Sequence, residues 1–192
     1  MAILKVVGFD PSLRHWGVAS GAYDTLTNKI EVSHVDVLEA TVEGDKTVRK
    51  SSKDLSSATQ LYTGAAKAAK GANAIFVEVP HGSQSARAMA GYAICVGVLG
   101  ALRASGIHFY ELTQREVKLG SFGKTKATKQ QMINWAMATF PSAPWPHRKQ
   151  NGELFVVKSK AEHEADAAAT IFSGVQLPAF QQSIQLINTQ TL

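Results

Sequence analysis

Cysteine is almost absent. Cys95 is the only one in 192 residues, so no internal disulfide can form. It sits in an apolar run, which reads as a buried, reduced thiol, and the cytoplasm is the compartment expected from that. The opening Met1-Ala2-Ile3-Leu4-Lys5 lacks the basic start and long apolar core of a secretory signal. The most apolar stretch, Ala88 to Leu102, lies between Arg87 and Arg103. It falls short of the roughly 20 residues that span a bilayer, so it reads as a buried helix and no membrane partner is expected. Internal repeats and low-complexity linkers are also missing, which leaves one domain over 1–192.

What remains is ordinary for a folded chain. Hydrophobic residues make up 45% and charged residues 18%, and the length supports a core without staples. The net charge is +5, as expected of a protein that meets polyanions, although charge alone does not single out nucleic acid.

Hydrophobic periodicity sets the element order. Ile3–Phe9 is a buried strand ending at Asp10, beside Pro11. Trp16–Tyr23 and Ile30–Val37 are two more, and Asp24–Lys29 turns between them, so the three form a meander. Glu43–Lys53 is polar and reads as loop. Ser51-Ser52-Lys53-Asp54 is placed to cap a helix running to about Lys70, with Gly71 to end it. Ala74–Val79 is a wholly apolar strand but for Glu78. Ser83–Ser105 is a long apolar helix closed by Gly106, and His108–Leu112 is a fifth strand. Gly120–Thr128 reads as a Gly/Lys loop, Thr128–Gln131 as a capping box opening a helix to about Phe140. The prolines at 141, 144 and 146 mark an irregular insert over about 141–158, in which Asn151-Gly152 signals a tight turn with Glu153–Val157 pairing back. Ser159–Glu162 reads as another capping box, opening a last helix to about Phe172 that Gly174 stops, and the Gln-rich tail from about 178 is expected at the periphery. A meander followed by helix-linked strands gives an α/β fold: a mixed five-stranded sheet, three antiparallel strands plus two parallel ones, with helices on both faces.

This order brings the acids together. Asp10 and Glu78 end strands that become neighbours if the sheet closes as expected, and two carboxylates so placed repel unless a cation lies between them. A hard ion such as magnesium takes oxygen ligands. His163 and Asp166 are three apart and share a helix face near its start, where the helix dipole favours anions. Each has a plainer explanation: a turn at Asp10-Pro11, an ion pair for Glu78, a cap for Glu162, a surface histidine at His163, a surface acid at Asp166. The combination in one place is what carries information.

Val6-Val7-Gly8-Phe9-Asp10-Pro11-Ser12, Ile75-Phe76-Val77-Glu78, the small-residue helix Ala86–Leu102, Glu111–Val117 with its lysine-rich sequel and Lys129–Phe140, and Ala165-Asp166-Ala167-Ala168-Ala169 together resemble RuvC-type Holliday junction resolvases. The resemblance runs from about residue 3 to 174, apart from 40–55 and 141–158. It implies a ribonuclease H-like fold, a homodimer that cuts four-way DNA junctions, and two magnesium or manganese ions held by Asp10, Glu78 and Asp166. His163 takes a position that is carboxylate or histidine in the family. It also implies phosphodiester hydrolysis in which these four residues are catalytic and Asp10 bridges both ions.

Two departures stand out. His81 occupies the position three after the second acid, where bacterial members can carry an aromatic wedge, and the 141–158 insert with Trp145, His147, Arg148 and Lys149 is unlike the compact bacterial form. A broader branched-DNA endonuclease therefore stands beside the strict resolvase.

For DNA contacts, Lys118, Lys124, Lys126 and Lys129 follow the fifth strand, with Glu116 the only acid between Arg115 and Lys129. Lysines on such a loop suit phosphates, or simply solvent. Arg148 and Lys149, with Lys158 and Lys160, form a second cluster; Trp145 either stacks on a base or packs under its own loop. Ala86, Ala90, Ala93 and Gly97 lie at helical spacing and suit a dimer interface or close core packing. A phosphotransferase of the sugar-kinase type also ends its first strand in Gly-x-Asp, but needs a second lobe and a Gly-rich adenosine motif that this chain lacks. A non-catalytic DNA-binding module would bind without metal and never nick.

Overall fold

The computed structural model describes residues 3–41, 47–82 and 85–190. Strands β1 (Ile3–Asp10), β2 (His15–Asp24) and β3 (Ile30–Glu39) form the antiparallel meander, and β4 (Ala74–Glu78) and β5 (Tyr110–Leu112) extend it in parallel, in the order β3-β2-β1-β4-β5. The central strands are apolar on both sides because helices cover both faces. Successive side chains point to opposite faces. Val6 and Phe76 therefore enter the core under one helix layer, while Val7, Phe9, Ile75 and Val77 enter the other.

The second layer consists of α1 (Lys50–Ala69) and α2 (Ala86–Ala104), packed on each other and on the sheet. The first is led by α5 (Lys158–Gly174), which crosses all five strands, flanked by α3 (Gln114–Phe122) and α4 (Lys129–Thr139). Two glycines let α5 lie directly on the sheet: a Cβ at Gly8 would strike the Ala167 carbonyl, and one at Gly17 the His163 carbonyl. Any side chain there would lift the helix that carries His163 and Asp166.

Several local expectations are corrected. α1 starts at Lys50 with Arg49 at its N-cap and no side-chain cap, so Ser51–Asp54 caps nothing. Likewise α5 starts before Ser159, on Val157, again without a side-chain cap. Both helices are held by residues buried further along, Ser57, Leu61, Ala65 and Ala69 in α1 and Ala161 onward in α5, and that burial outweighs a cap of about 1 kcal/mol. α2 begins with Ser85 as N-cap; Ser83, and residues 43–46 of the expected loop, lie outside the described residues. α2 is also not a buried helix. Gly91, Cys95, Val98, Leu99 and Leu102 are its buried residues, while Met89 and Val96 are exposed. By length and composition alone it is apolar enough to cross a membrane.

The span 114–120 is helical, although Gly120 and the lysines after it read as loop. Thr113 and Glu116 form a capping box at the start of α3, and Gly123 (φ 77°) closes it, so Lys118 stands on a helix rather than a loop. The insert folds into a hairpin of β6 (His147–Gln150) and β7 (Glu153–Val156), turned by Asn151 and Gly152, both at positive φ as a type I′ turn requires. The tail is not peripheral. It forms α6 (Pro178–Gln190), whose Phe180 and Ile184 are buried, with Phe180 edge-on to Phe76 and Tyr110.

Candidate active-site cleft

Asp10 and Glu78 each follow the Phe9–Val77 pair of the parallel β1–β4 ladder, so the two carboxylates end adjacent strands on the α5 face. The first turns of α5 deliver His163 and Asp166 over them. His163 Nδ1 donates to Asp10 Oδ2 at 2.9 Å, and His15 stacks on the His163 ring with centroids 5.6 Å apart. These four residues line one cleft of about 380 Å³, whose walls include Glu162, Lys118, Lys129, Gln114, His81 and Tyr92.

The electrostatics are those of crowded acids. Burial, reinforced by the charges of Asp10 and Asp166, pushes the Glu78 carboxyl up to about 8, against the pull of Lys118. Asp166 is raised for the same reasons, burial first and then Asp10 and Glu162, opposed by Lys118 and His163. Burial works against a charged His163, but the hydrogen bond and charge of Asp10, with Glu162 and Asp166 behind it, raise its pKa above the usual histidine value.

Among the described residues, no three His, Cys, Asp or Glu side chains are drawn together tightly enough to form a finished metal cage. The donor set nevertheless fits a hard divalent cation. It is rich in carboxylate oxygen with one imidazole, and two of its acids, Glu78 and Asp166, are held above their normal pKa by burial first and then by the charge of Asp10. A cation among them offsets the repulsion from Asp10 and favours the ionised form that burial opposes. Asp10, Glu78 and Asp166 are the residues that could hold one, with His163 Nε2 available because Nδ1 is taken by Asp10.

The basic residues expected to meet DNA divide. Lys118 and Lys129 line the cleft; Lys124, Lys126, Arg148 and Lys149 are exposed but lie outside its wall. Lys129 is ion-paired to Glu162, which raises its pKa through their hydrogen bond; Glu162 thus anchors a lysine instead of capping the helix. Trp145 is buried and its Nε1 donates to the Phe140 carbonyl at 2.9 Å, which removes it from base stacking. Ala86, Ala90, Ala93 and Gly97 all face outward on α2. Sequence reasoning missed Gln114, Tyr92 and His15. Gln114 was legible, since the Thr113-x-x-Glu116 box places it one turn before Lys118 on the same helix face. His15 and Tyr92 carry no local signal, being brought in by the β1–β2 turn and by the lie of α2.

No family model matches the chain, and no curated protein sequence does. Solved structures do. RuvC of T. thermophilus in complex with a Holliday junction substrate superposes with a TM-score of 0.63 at 16% identity, covering 94% of this chain and 97% of that one. The chain has the ribonuclease H-like fold of RuvC. A second Thermus thermophilus RuvC structure gives 0.61 at 17% identity, covering 95% and 97%. The yeast mitochondrial Holliday junction resolvase Ydc2 gives 0.58 at 13% identity, covering 95% and 83%. The RuvC fold therefore extends over nearly the whole chain.

Proposed function

We propose that the chain is a divalent-metal-dependent endonuclease that cleaves branched DNA, four-way junctions above all. The observation that carries the reading is the meeting of Asp10, Glu78, His163 and Asp166, from three separated segments, in one cleft of a RuvC-type fold. Proteins of that fold include a RuvC bound to a Holliday junction and a mitochondrial junction resolvase.

Magnesium or manganese, two ions held by Asp10, Glu78, Asp166 and His163, would activate the attacking water and compensate the charge on the leaving oxygen. The protein's own groups do the rest. His163 fixes the Asp10 carboxylate through its Nδ1 and is itself braced by His15. Lys118 offsets the negative charge of Glu78 and Asp166 and faces the place where a phosphate lies. Lys129, held at the rim by Glu162, can exchange that partner for a backbone phosphate. The products are a 5′-phosphate and a 3′-hydroxyl.

The protein acts as a homodimer joined through α2. Ala86, Ala90, Ala93 and Gly97 face outward on it, beside exposed Met89 and Val96, and Gly97 joins Ala58, Tyr62, Ile94 and Ala101 in lining an apolar groove between α1 and α2. Small residues allow two such helices to approach closely. Cleavage of four-way, three-way, flap and linear substrates, with magnesium and with chelator, tests the reading. Metal-dependent nicking strongest on the four-way junction supports it; cleavage of all branched forms alike favours the broader endonuclease, and none of either overturns it.

A further inference from the structure

A second cavity, of about 430 Å³, lies next to the acidic cleft on the other side of the β1–β2 turn. Pro11 and Ser12 of that turn line the acidic cleft, and the following residues, Leu13 and Arg14, line the second cavity. Lys50, Lys53 and Asp54 enter it from α1, and Arg87 from α2. Among the described residues, four cations and one acid line this concave site, the reverse of the balance next door.

The one acid organises the cations. Asp54 accepts from both terminal nitrogens of Arg87, at 2.9 and 2.8 Å, and lies 3.6 Å from Lys50 Nζ. The Arg87 guanidinium holds the Asp54 carboxyl below its usual range. The pair ties α1 to α2 and sets the wall of the cavity. Arg14 forms no ion pair among the described residues. A concave surface with an excess of cations is suited to phosphate oxygens, and arginine presents a planar fork to them.

We propose that the cavity lined by Arg14, Lys50, Lys53 and Arg87 seats the phosphodiester backbone of the same DNA strand whose scissile phosphate lies at Asp10 and Glu78, one step beyond the β1–β2 turn. The proposal rests on the nuclease reading for the identity of the strand, and adds a contact on the side opposite Lys118 and Lys129. The strand crosses the turn at Pro11–Arg14, held at both ends by cations, with its middle over the acidic cleft. Phosphate contacts of this kind set register and affinity without reading sequence.

The test is binding of a four-way junction and of a linear duplex in chelator, across a salt series. The variant combines Arg14→Gln, Lys50→Gln and Lys53→Gln and leaves the Asp54–Arg87 tie intact; a control removes equal charge at Lys29, Lys67 and Lys70. The proposal expects the variant to lose about 0.9 from the log–log salt slope for each phosphate it no longer neutralises, and to bind about ten-fold more weakly at ~0.1 M salt. The control changes little. An unchanged slope, or an equal loss in the control, overturns the proposal. If the wild type cleaves junctions and the slope does not move, the nuclease reading survives alone. If the slope moves and the wild type never cleaves, the backbone seat survives alone. Tight binding of inorganic phosphate alone, abolished in the variant, would mark a free-anion site and overturn the backbone assignment.

Discussion

His163 donates its Nδ1 proton to Asp10 Oδ2 at 2.9 Å across a separation of 153 residues. That bond joins the end of the first strand to the start of the helix that lies across the sheet. It leaves the imidazole Nε2 as the free nitrogen and fixes the direction in which the Asp10 carboxylate points. Replacing His163 with alanine should leave the fold and DNA binding intact and lower metal affinity or cleavage about 10–100-fold, measured as the magnesium concentration for half-maximal nicking. Wild-type magnesium dependence in the alanine variant would show that the bond has no part in the site.

The approach of α5 to the sheet depends on glycine. Gly17→Ala drives a methyl into the His163 carbonyl, and Gly8→Ala one into Ala167. Each should cost about 1–3 kcal/mol, read by denaturant melts, and Gly17→Ala should lower cleavage further by displacing His163. Gly100→Ala is the contrasting case: nothing lies within 4 Å of its Cβ, so the helix should gain about 0.5–1 kcal/mol.

Raised carboxyl values make stability depend on pH in a defined sense. Glu78 is pushed up to about 8 and, on the same helix as Asp166, Glu164 to about 7, in both cases chiefly by burial; Asp36 adds to the effect on Glu164. The folded state therefore holds protons that the unfolded chain releases near the normal carboxylate pKa. Stability without metal should fall as pH rises through the window from about 4.5 to about 8. Ligation needs the ionised acids, so apparent magnesium affinity should rise over the upper part of that window. Melting temperatures at a series of pH values, with chelator and with magnesium, show both trends. A chelated protein that gains stability between pH 5 and 8 would contradict the assignment of these acids as crowded and buried.

Charge removal at Lys118, Lys124, Lys126 and Lys129 should flatten the salt dependence of DNA binding, by about 0.9 for each phosphate left without its lysine. Lys118→Gln alone should also weaken cleavage at saturating DNA, because it is the cation that offsets Glu78 and Asp166. Equal slopes in wild type and variant would remove these lysines from the interface.

The sheet was readable because its signals are local and redundant. β1 and β4 are short apolar runs closed by an acid, and the meander is marked by turns, so strand order followed from chain order. The site inherited that legibility: Asp10 and Glu78 end neighbouring strands, and His163 and Asp166 share a helix turn. What escaped depends on tertiary packing. Two sequence-level caps, at Ser51–Asp54 and Ser159–Glu162, yielded to burial, and Glu162 went to Lys129 instead. The helix at Gln114–Phe122 was hidden behind Gly120, although Gly120 tolerates the helix and packs on Ser173. α6 was read as periphery because its glutamines dominate the composition, while its Phe180 packs against Tyr23, Phe76 and Tyr110. Tyr92 reaches the cleft, and His15 the ring of His163, through the fold, and neither leaves a pattern in the chain.

The most direct test of the shared metal site is nicking of a four-way junction by Asp10→Asn and Asp166→Asn, each measured alongside junction binding. Both variants should bind the junction as the wild type does and show no metal-dependent cleavage. Full cleavage by either variant in magnesium would contradict the account.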